Sequence, residues 1–510
     1  MNRRRRVAAA AMGGLTLLAT ACGTRLPDSA FQAAQGSAAA VDQGAGDNGG
    51  VVGPESSAGP GGAAGGGANT GSAAGAPAGG SDGSRTGGQS GSGSGSTKTA
   101  TKNTASDVGV TPTMIRVGAI DSISNPFDPE AFVGPFYGAK AFFQDLNAHG
   151  GVNGRMVQLY SCDDRANGAR NQSCVRNLID TTKVFAFAGN AIFDYSGAPY
   201  VQQKDVPDIG GQPIDNAYSQ YSHIYSIYGG LGYPRNGQVG YNGTLYGGTE
   251  NYRYFKVKFP NVARKAGVVY YNQAASASFG KHIADGLRKE GYQVDEEQVD
   301  FALPDFNSAV IHMKSQGVQY VYDVMDVGGN ESLCKAMDQN NLDVKAKVTT
   351  TQSWTANIKT GFADSPHCRN SLWAMGNTLN YEDTQYPTVK EFRAAMKRYG
   401  YDGPDKMSEW ALEGWASAQW LADAMSSCGA DLTRKCVEAY MDRSTPYTGH
   451  GLLTPRDFTV VEPPPTYNSD ACINVVRWQD SANGGQGGWV TQVADMNKNC
   501  FAVPYIPYQP

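Results

Sequence analysis

The chain has 510 residues, and 51 of its 52 aromatic residues lie after residue 107. Gly, Ala and Ser supply 52 of the 85 residues from 23 to 107, a composition that buries too little apolar surface to fold, so the foldable part begins near residue 108 and suits two domains. The formal net charge of −5 includes no basic excess, which excludes nucleic acid as the main partner.

The N-terminus predicts export and a lipid anchor. A cluster of arginines precedes an apolar run of 14 residues, Val7–Thr20, which is too short to span a bilayer but suits the core of a secretory signal. The motif Leu18-Ala-Thr-Ala-Cys22 resembles the lipobox of bacterial lipoproteins, whose cysteine receives the lipid. We expect a signal peptide at 1–21, a lipidated Cys22 on the outer face of the cell membrane, and a disordered tether over 22–107. An ordinary cleaved signal with a chance cysteine is the alternative.

From residue 114 onward, short β-branched or aromatic runs alternate with helical stretches in two series. The predicted strands are 115–120, 157–161, 184–188, 266–271, 293–299, 320–324 and 345–350, and the predicted helices are 130–148, 169–180, 194–204, 279–290, 306–316, 331–339, 388–399, 408–427 and 432–441. Asp194 and Asp305 are the expected N-caps of two of these helices. Repeated βαβ units imply an α/β fold with two doubly wound parallel sheets.

One stretch carries a family resemblance. Residues 136–154, which end in the turn Asn147-Ala-His-Gly-Gly-Val-Asn-Gly154, resemble the first helix and turn of the type I periplasmic binding proteins. The similarity is greatest to the branch that serves branched-chain amino-acid, amide and urea ABC transporters. Cys162-Asp-Asp164, Phe279–Gly286 and Asp305-Phe306 match further landmarks of the family.

The resemblance implies two parallel-sheet lobes joined by a three-strand hinge and preceded by the disordered tether. Lobe one is expected over 108–233 plus 378–450. Lobe two is expected over 234–377 plus 451–510, where the last part is a tail that carries cysteines. Such hinges allow the lobes to close around a ligand.

The cysteines agree with export. Eight remain beyond Cys22, and an even number in an exported chain predicts four disulfides. Eight cysteines allow 105 pairings, but their clustering along the chain suggests neighbours. The expected pairs are Cys162–Cys174, Cys334–Cys368, Cys428–Cys436 and Cys472–Cys500. No CxxC motif and no closely spaced histidine pair occurs, so no metal site is expected.

In lobe one, ligand contacts are expected where the parallel strands end. The backbone amides of the loop 189–195 could hold an anionic or carbonyl group, and in the family this loop grips the ligand carboxylate. Asp194 would repel a carboxylate there. The alternatives are a helix N-cap at Asp194, a tight turn at 210–213 and ordinary loop packing for the phenylalanines. The candidate contacts are Phe127, Phe132, Asn190, Ala191, Asp194, Tyr195, Gly211 and Gln212.

In lobe two, the resemblance implies ligand contacts at Phe279, Asp326, Gln352 and Trp354. In amino-acid binders of this branch, a glutamate near Gln352 receives the ammonium group, and a buried ammonium without a carboxylate is costly. We therefore expect a neutral solute rather than a free α-amino acid. The alternatives are core packing for Phe279, a solvated loop position for Asp326 and a buried structural role for Trp354.

The function expected from these features is solute capture by a lipoprotein outside the cytoplasm. Lobe closure would trap a small molecule, amino-acid-like, amide or another polar organic, for delivery to the membrane permease of an ABC transporter. A ligand sensor of the same fold that signals to a membrane receptor is the alternative. No P-loop, HExxH or nucleophile motif is present, so we expect neither an enzyme nor a cofactor.

Overall fold

The computed structural model of the chain describes residues 102–125 and 129–509. The predicted signal peptide, Cys22, the tether up to residue 101 and Phe127 lie outside the described residues. Within the described part, no helix has both the length and the apolar composition that crossing a bilayer requires.

Each of the seven predicted strands is present among the described elements, and eight further strands, within 208–248 and 372–508, were not predicted. Strands β1–β15 are Met114–Asp121, Met156–Asp163, Ala186–Ala188, Asp208–Gly211, Ile224–Ser226, Leu245–Gly248, Lys265–Tyr271, Gln293–Val299, Tyr320–Val324, Ala346–Val348, Leu372–Gly376, Tyr467–Cys472, Asn474–Gln479, Gly488–Thr491 and Cys500–Tyr508. Helices α1–α13 are Pro129–Ala148, Gly168–Arg176, Ala198–Gln203, Ala217–Gln220, Glu250–Lys258, Ala274–Lys289, Phe306–Gln316, Val327–Gln339, Ile358–Gly361, Pro366–Arg369, Pro387–Arg398, Glu409–Ser427 and Arg434–Met441.

Lobe one is built on a five-stranded parallel sheet with the order β2-β1-β3-β4-β5. Alternate strand residues face opposite sides of the sheet. Val117 and Ala186 share a core with α1 and α12, whereas Ile120 and Phe187 share a core with α2 and α3. Helices therefore cover both faces, as a doubly wound sheet requires.

Lobe two is built on a seven-stranded sheet with the order β14-β13-β11-β10-β9-β7-β8. The strands from β7 to β11 are parallel, and β13 and β14, from near the chain end, extend the sheet in the antiparallel direction. A third sheet, β12-β15-β6, is antiparallel and joins the last strand of the chain to β6.

Three connecting segments join the two lobes. The first connecting segment is 227–244, the second is 377–386 and the third is 442–466. The Gly230 N–H donates to the Asp457 carbonyl oxygen at 2.9 Å, and the Thr454 N–H donates to the Asn377 carbonyl oxygen at 2.8 Å. The third connecting segment therefore bonds to both of the others.

Four disulfides are formed, and they are the neighbour pairs that the sequence predicts. They are Cys162–Cys174, Cys334–Cys368, Cys428–Cys436 and Cys472–Cys500. Each joins elements that are consecutive or close in the chain, such as β2 with α2 and β12 with β15. The cysteines thus brace local pairs of elements and form no bond between the two large sheets.

The predicted tether ends too late. Asn103 Nδ2 donates to the Asn153 carbonyl oxygen at 2.9 Å, and the Arg155 guanidinium donates to the Thr104 carbonyl oxygen at 3.2 Å. The Asp107 carboxylate accepts from the Arg434 N–H at 2.8 Å. Residues 102–107 therefore lie against lobe one, because their polar groups pair with groups that the folded part supplies.

Candidate functional site

The backbone amides of the loop after β3 are already engaged by carboxylates of the chain itself. The Ala191 N–H donates to Asp121 Oδ1 at 3.1 Å, and the Tyr195 N–H donates to Asp215 Oδ2 at 3.2 Å. The sequence analysis expected the amides of this loop to hold an anionic or carbonyl group of the ligand. The structure corrects that assignment, because protein carboxylates accept both hydrogen bonds.

The side chains of Asn190 and Tyr195 hold lobe one together. Asn190 Oδ1 accepts from the Ile120 N–H at 2.8 Å, which ties the loop after β3 to β1. The Tyr195 hydroxyl donates to Asp208 Oδ2 at 2.8 Å. Both side chains are buried, and burial raises the pKa of Asp208 to about 7. The predicted ligand contacts are internal contacts here.

Asp194 does not cap a helix, and the predicted helix over 194–204 starts too early. The Asp194 carboxylate accepts from the Ser196 N–H at 3.1 Å and from the Ser196 hydroxyl at 2.5 Å. The next amide, that of Gly197, donates to Asn171 Oδ1 at 2.8 Å. Because these hydrogen bonds engage the Asp194 carboxylate and the Gly197 amide, neither group caps a longer helix, and α3 begins only at Ala198.

Gly211 and Gln212 lie at the carboxyl end of β4. A Cβ on Gly211 would lie 1.9 Å from the hydroxyl of Tyr218, so only glycine fits this close approach. The Gln212 side chain is buried, and its Nε2 donates to Glu413 Oε2 at 2.6 Å. Of the predicted lobe-one contacts, Gln212 is therefore one that bonds to a buried carboxyl group of α12.

Phe132 packs at the start of α12. Its ring lies 5.5 Å from the Trp410 ring in an edge-on arrangement and 6.4 Å from the Phe193 ring. Trp410 Nε1 in turn donates to Thr351 Oγ1 of lobe two at 3.1 Å. Phe132 therefore supports a contact between the lobes.

Two of the predicted lobe-two residues have other roles. Phe279 is 42% exposed, and its ring packs against Tyr508 of the last strand at a distance of 6.3 Å. It lies in the second turn of α6, which begins at Ala274, earlier than the sequence predicts. Asp326 Oδ1 accepts from the Gly329 N–H at 2.7 Å and caps α8, so this half-buried carboxylate has a structural role.

Trp354 and Gln352 lie beside the first turn of α12. Trp354 is fully buried and packs 6.3 Å from the ring of Trp489, which makes it a structural core residue. Its carbonyl oxygen accepts from the Glu409 N–H at 2.9 Å. Gln352 is half-buried in the helical turn Thr351–Ser353, which follows β10.

The polar centre between the lobes is Glu413, which the sequence analysis missed. Glu413 is fully buried on α12. Its Oε2 accepts from Gln212 Nε2 and, at 3.3 Å, from the hydroxyl of Tyr228 in the first connecting segment. Its Oε1 has no hydrogen-bond partner among the described residues. Burial raises the pKa of this carboxyl.

Glu409 lies one helical turn before Glu413 on the same face of α12 and is also fully buried. The backbone N–H of Tyr381, in the second connecting segment, is directed at its carboxylate, but neither oxygen completes a hydrogen bond within the described chain. Burial, and then repulsion by Glu413 and Asp383, raises the pKa of Glu409 well above its ordinary value.

The third connecting segment supplies Arg456. Its guanidinium donates to the Tyr228 carbonyl oxygen at 3.4 Å and to the hydroxyl of Thr454. Burial lowers the pKa of Arg456 to about 10, and the charges of Glu250 and Glu413 act against that shift. Each of the three connecting segments therefore contributes a residue to the surroundings of the Glu409–Glu413 pair.

The sequence held one signal for this pair. Two glutamates four positions apart begin a helix whose remaining residues are almost all buried. Glutamate is almost never fully buried unless it has a partner, so this spacing in an apolar helix marks a polar site. Arg456, in a loop rich in proline, left no comparable pattern.

Shallow cavities on the outer side of lobe one lie beside α2 and α3, and one of them is lined by Asp194, Tyr195 and Asp215. They are open to solvent, and the carboxylates at their edge already accept hydrogen bonds from the loop. The buried polar groups between the lobes make the better candidate site.

Solved structures share this fold at low sequence identity. A possible leucine/isoleucine/valine-binding protein from Rhodopirellula baltica has a TM-score of 0.56 and 15% identity, with 75% of this chain and 96% of that chain covered. A fatty acid ABC transporter substrate-binding protein from Thermomonospora curvata has a TM-score of 0.57 and 17% identity, with 76% and 94% covered.

A branched-chain amino acid transporter substrate-binding protein from Streptococcus pneumoniae, solved with isoleucine, has a TM-score of 0.56 and 15% identity, with 74% of this chain and 100% of that chain covered. No curated protein sequence matches this chain. The family model described as periplasmic binding protein matches residues 114–485. Members of that family bind solutes outside the cytoplasm and are not enzymes. The chain belongs to the periplasmic binding protein family, with the type I fold.

Proposed function

We propose that this protein captures a small polar organic solute between its lobes and delivers it to the permease of an ABC transporter. The observation that carries the proposal is the buried polar cluster around Glu413. Glu413 accepts hydrogen bonds from Gln212 of lobe one and Tyr228 of the first connecting segment, and Trp410 of the same helix donates to Thr351 of lobe two. Movement of the lobes would expose and cover these groups together.

The transporter partner is inferred from the relatives. Two of the solved structures with this fold are described as substrate-binding proteins of transporters for fatty acids and branched-chain amino acids. Their identity to this chain is at most 17%, so they support the mode of action and do not indicate which solute is bound here.

We further propose that lipidated Cys22 anchors the protein to the outer face of the cell membrane. The Gly-, Ala- and Ser-rich stretch that follows would act as a tether. A flexible chain of that composition and length has a root-mean-square span of roughly 50 Å, which gives the binding lobes freedom to reach a permease.

The test is recovery of the solute from the natural protein. The full-length protein is purified under native conditions, unfolded, and the released small molecules are identified by mass spectrometry. Each compound found is then added back in a melting experiment. We expect at least one to raise the melting temperature, and at a hundredfold excess over the dissociation constant the stabilisation is about 2.7 kcal/mol.

Uptake of that compound by cells with and without the gene then separates transport from sensing. Loss of uptake in the deletion strain supports delivery to a permease. If uptake is unchanged while the compound binds, the protein acts as a sensor and the transport part of the proposal is wrong.

A further inference from the structure

The region where the connecting segments meet carries more negative than positive charge. The carboxylates of Glu250, Asp383, Glu409 and Glu413 interact with one another or with the guanidinium of Arg456. A second guanidinium, that of Arg393, donates to the Tyr381 carbonyl oxygen at 3.2 Å and acts on a further carboxylate, Glu382. Glu409 and Glu413 are fully buried, and a buried charge is tolerated only when it is paired. The described chain therefore leaves this pair short of positive charge.

The carboxylate pair also has acceptor capacity to spare. Glu413 Oε2 is held by Gln212 and Tyr228, but Glu413 Oε1 and both oxygens of Glu409 complete no hydrogen bond among the described residues. Buried carboxylate oxygens normally have partners. Free acceptors on fully buried acids, between two lobes that can separate, point to a donor that comes from outside the chain.

We propose that Glu409 and Glu413 together bind the cationic nitrogen of an organic amine, so that the solute of this protein is an amine; the inference rests on the solute-binding function proposed above. An ammonium group has up to three N–H donors, which matches the three free carboxylate oxygens. It also supplies the positive charge that the pair lacks.

An organic cation fits this place better than a metal ion. The guanidinium of Arg456, which acts on Glu413, would repel a divalent metal about twice as strongly as a singly charged ammonium at the same place. Tyr228 bonds to Glu413 through its hydroxyl, and Trp410 follows Glu409 directly in α12. Aromatic side chains near a cation site attract organic ammonium groups and pack against their carbon chains.

This assignment replaces the expectation of a neutral solute. That expectation rested on Gln352, which stands where relatives have a glutamate for the ammonium group. The structure supplies two carboxylates from a different element, the first two turns of α12. The missing glutamate of lobe two is therefore no reason to exclude a cationic solute.

Binding should release protons. In the absence of a cation, burial raises the pKa of both acids, and repulsion by Glu413 raises that of Glu409 further, so the pair holds a proton more readily than two ordinary carboxyl groups do. The other titratable and charged groups around the pair are Asp383, the hydroxyls of Tyr228 and Tyr381, Arg456 and, beyond these, Glu250, Glu382 and Arg393. Burial raises the pKa of Asp383, Glu250 and Glu382 as well, so the proton release is assigned to the pair by its loss in the variants Glu409→Gln and Glu413→Gln.

The experiment uses full-length protein and three amines, each paired with the alcohol of the same shape. The pairs are n-butylamine with 1-butanol, putrescine with 1,4-butanediol, and 2-phenylethylamine with 2-phenylethanol. We expect at least one amine to raise the melting temperature, while its alcohol has no effect. Titration calorimetry of that amine in phosphate and in HEPES should show proton release, and the affinity should rise by up to tenfold per pH unit between pH 6 and 8.

Glu413→Gln and Glu409→Gln should each lower the affinity for the amine at least tenfold and reduce the proton release. Glu391→Gln, at an exposed position of α11, is the matched control and should change neither. If a variant fails to fold, the comparison of amine with alcohol on the natural protein still decides.

Three outcomes would overturn the inference: no amine stabilises the protein, an alcohol stabilises it as much as its amine, or calcium or zinc stabilises it where the amines do not. A co-purified solute without a cationic nitrogen would overturn it too, while leaving the proposed function intact. The proposed function fails separately, if no compound of any class binds.

Discussion

Asp208 is a buried polar residue whose hydrogen-bond partner belongs to the chain itself and not to a ligand. It is fully buried at the start of β4, where the Tyr195 hydroxyl donates to it at 2.8 Å. Burial raises its pKa from 3.8 to about 7, so the folded chain holds this proton more tightly than the unfolded chain does. The stabilisation that this raised pKa provides is fully present below about pH 4 and is lost as the pH rises through about 7.

Asp208→Asn should remove that pH dependence. Between pH 5 and pH 8 the free energy of unfolding of the natural protein should fall by about 3 kcal/mol through this residue alone, and the variant should not show that fall. Urea unfolding at the two pH values measures the difference. Asp343→Asn, at an exposed position, is the control. Equal pH dependence in the Asp208 variant and the natural protein would contradict the assignment.

Residue roles were the part of the site that the sequence predicted least well. Position along the chain predicted that the loop after β3 carries functional groups, but it could not indicate their partners. The hydrogen-bond partners depend on residues far apart in sequence, such as Asp121, which accepts from the Ala191 N–H, and Ile120, whose N–H donates to the Asn190 side chain. Glu413 was missed for the same reason, because its partner Gln212 is about two hundred residues away.

At the scale of elements, α1 and α12 pack unusually closely through glycines. A Cβ on Gly138 of α1 would lie 1.9 Å from the Ala411 carbonyl oxygen, and one on Gly414 of α12 would lie 2.1 Å from the Pro135 carbonyl oxygen. Both obstacles are backbone atoms, which cannot turn aside as a side chain can. This contact fixes the position of the helix that carries Glu409 and Glu413.

Gly138→Ala should therefore destabilise the protein, although alanine favours a helix. We expect the free energy of unfolding to fall by about 2–3 kcal/mol, because overpacking forces the helices apart. Gly328→Ala in α8 is the control, since its Cβ would meet its nearest atom at 3.5 Å, and we expect no loss there. Equal stability of the two variants in urea unfolding would show that α1 and α12 can separate at little cost.

The disulfide between Cys472 and Cys500 is the covalent brace of the third sheet. It joins β12 to β15, and β15 pairs in turn with β6. Replacing both cysteines by serine should lower the free energy of unfolding by about 2–4 kcal/mol, because the open chain gains conformational freedom when it unfolds. Thermal unfolding of the double variant measures this. An unchanged melting temperature would mean that strand pairing alone fixes the chain end.

Element types were predictable because apolar periodicity is local, and the boundaries were less so. Asp305 caps α7 as predicted, since its carboxylate bonds within the next three residues. Asp194 fails as a cap although its sequence looks equally suitable, because Ser196 takes its carboxylate and Asn171 takes the next amide. Of these two competitors, Asn171 is the one distant in sequence, and its hydrogen bond to the Gly197 amide sets where α3 begins.

For the whole molecule, the connecting segments and the carboxylate pair form one unit. Tyr228, Tyr381 and Arg456 come from three different segments, and each touches or acts on Glu409 or Glu413. A change of charge at the pair therefore alters the electrostatic surroundings of a residue in each of the three connecting segments. The family resemblance predicted the lobes and the three crossings, but no local pattern could show that the crossings converge on two acids of α12.

Attachment of the whole molecule to the membrane rests on Cys22, and Cys22→Ala should release the protein into the soluble exported fraction. The motif Leu18-Ala-Thr-Ala-Cys22 follows an apolar run too short to span a bilayer, so the lipid is the expected anchor. One acyl chain binds membranes only marginally, which means that stable anchorage needs the full lipid modification of the cysteine.

Fractionation of cells that express the natural protein or the variant, with detection of the folded part by antibody, measures the release. Cys472→Ser is the matched control, because it removes a cysteine of the folded part and leaves the motif unchanged. We expect the natural protein and the control in the membrane fraction and the Cys22 variant in the soluble fraction. If the Cys22 variant stays with the membrane as completely as the natural protein does, the apolar run remains uncleaved and holds the protein itself, and the lipoprotein proposal is wrong.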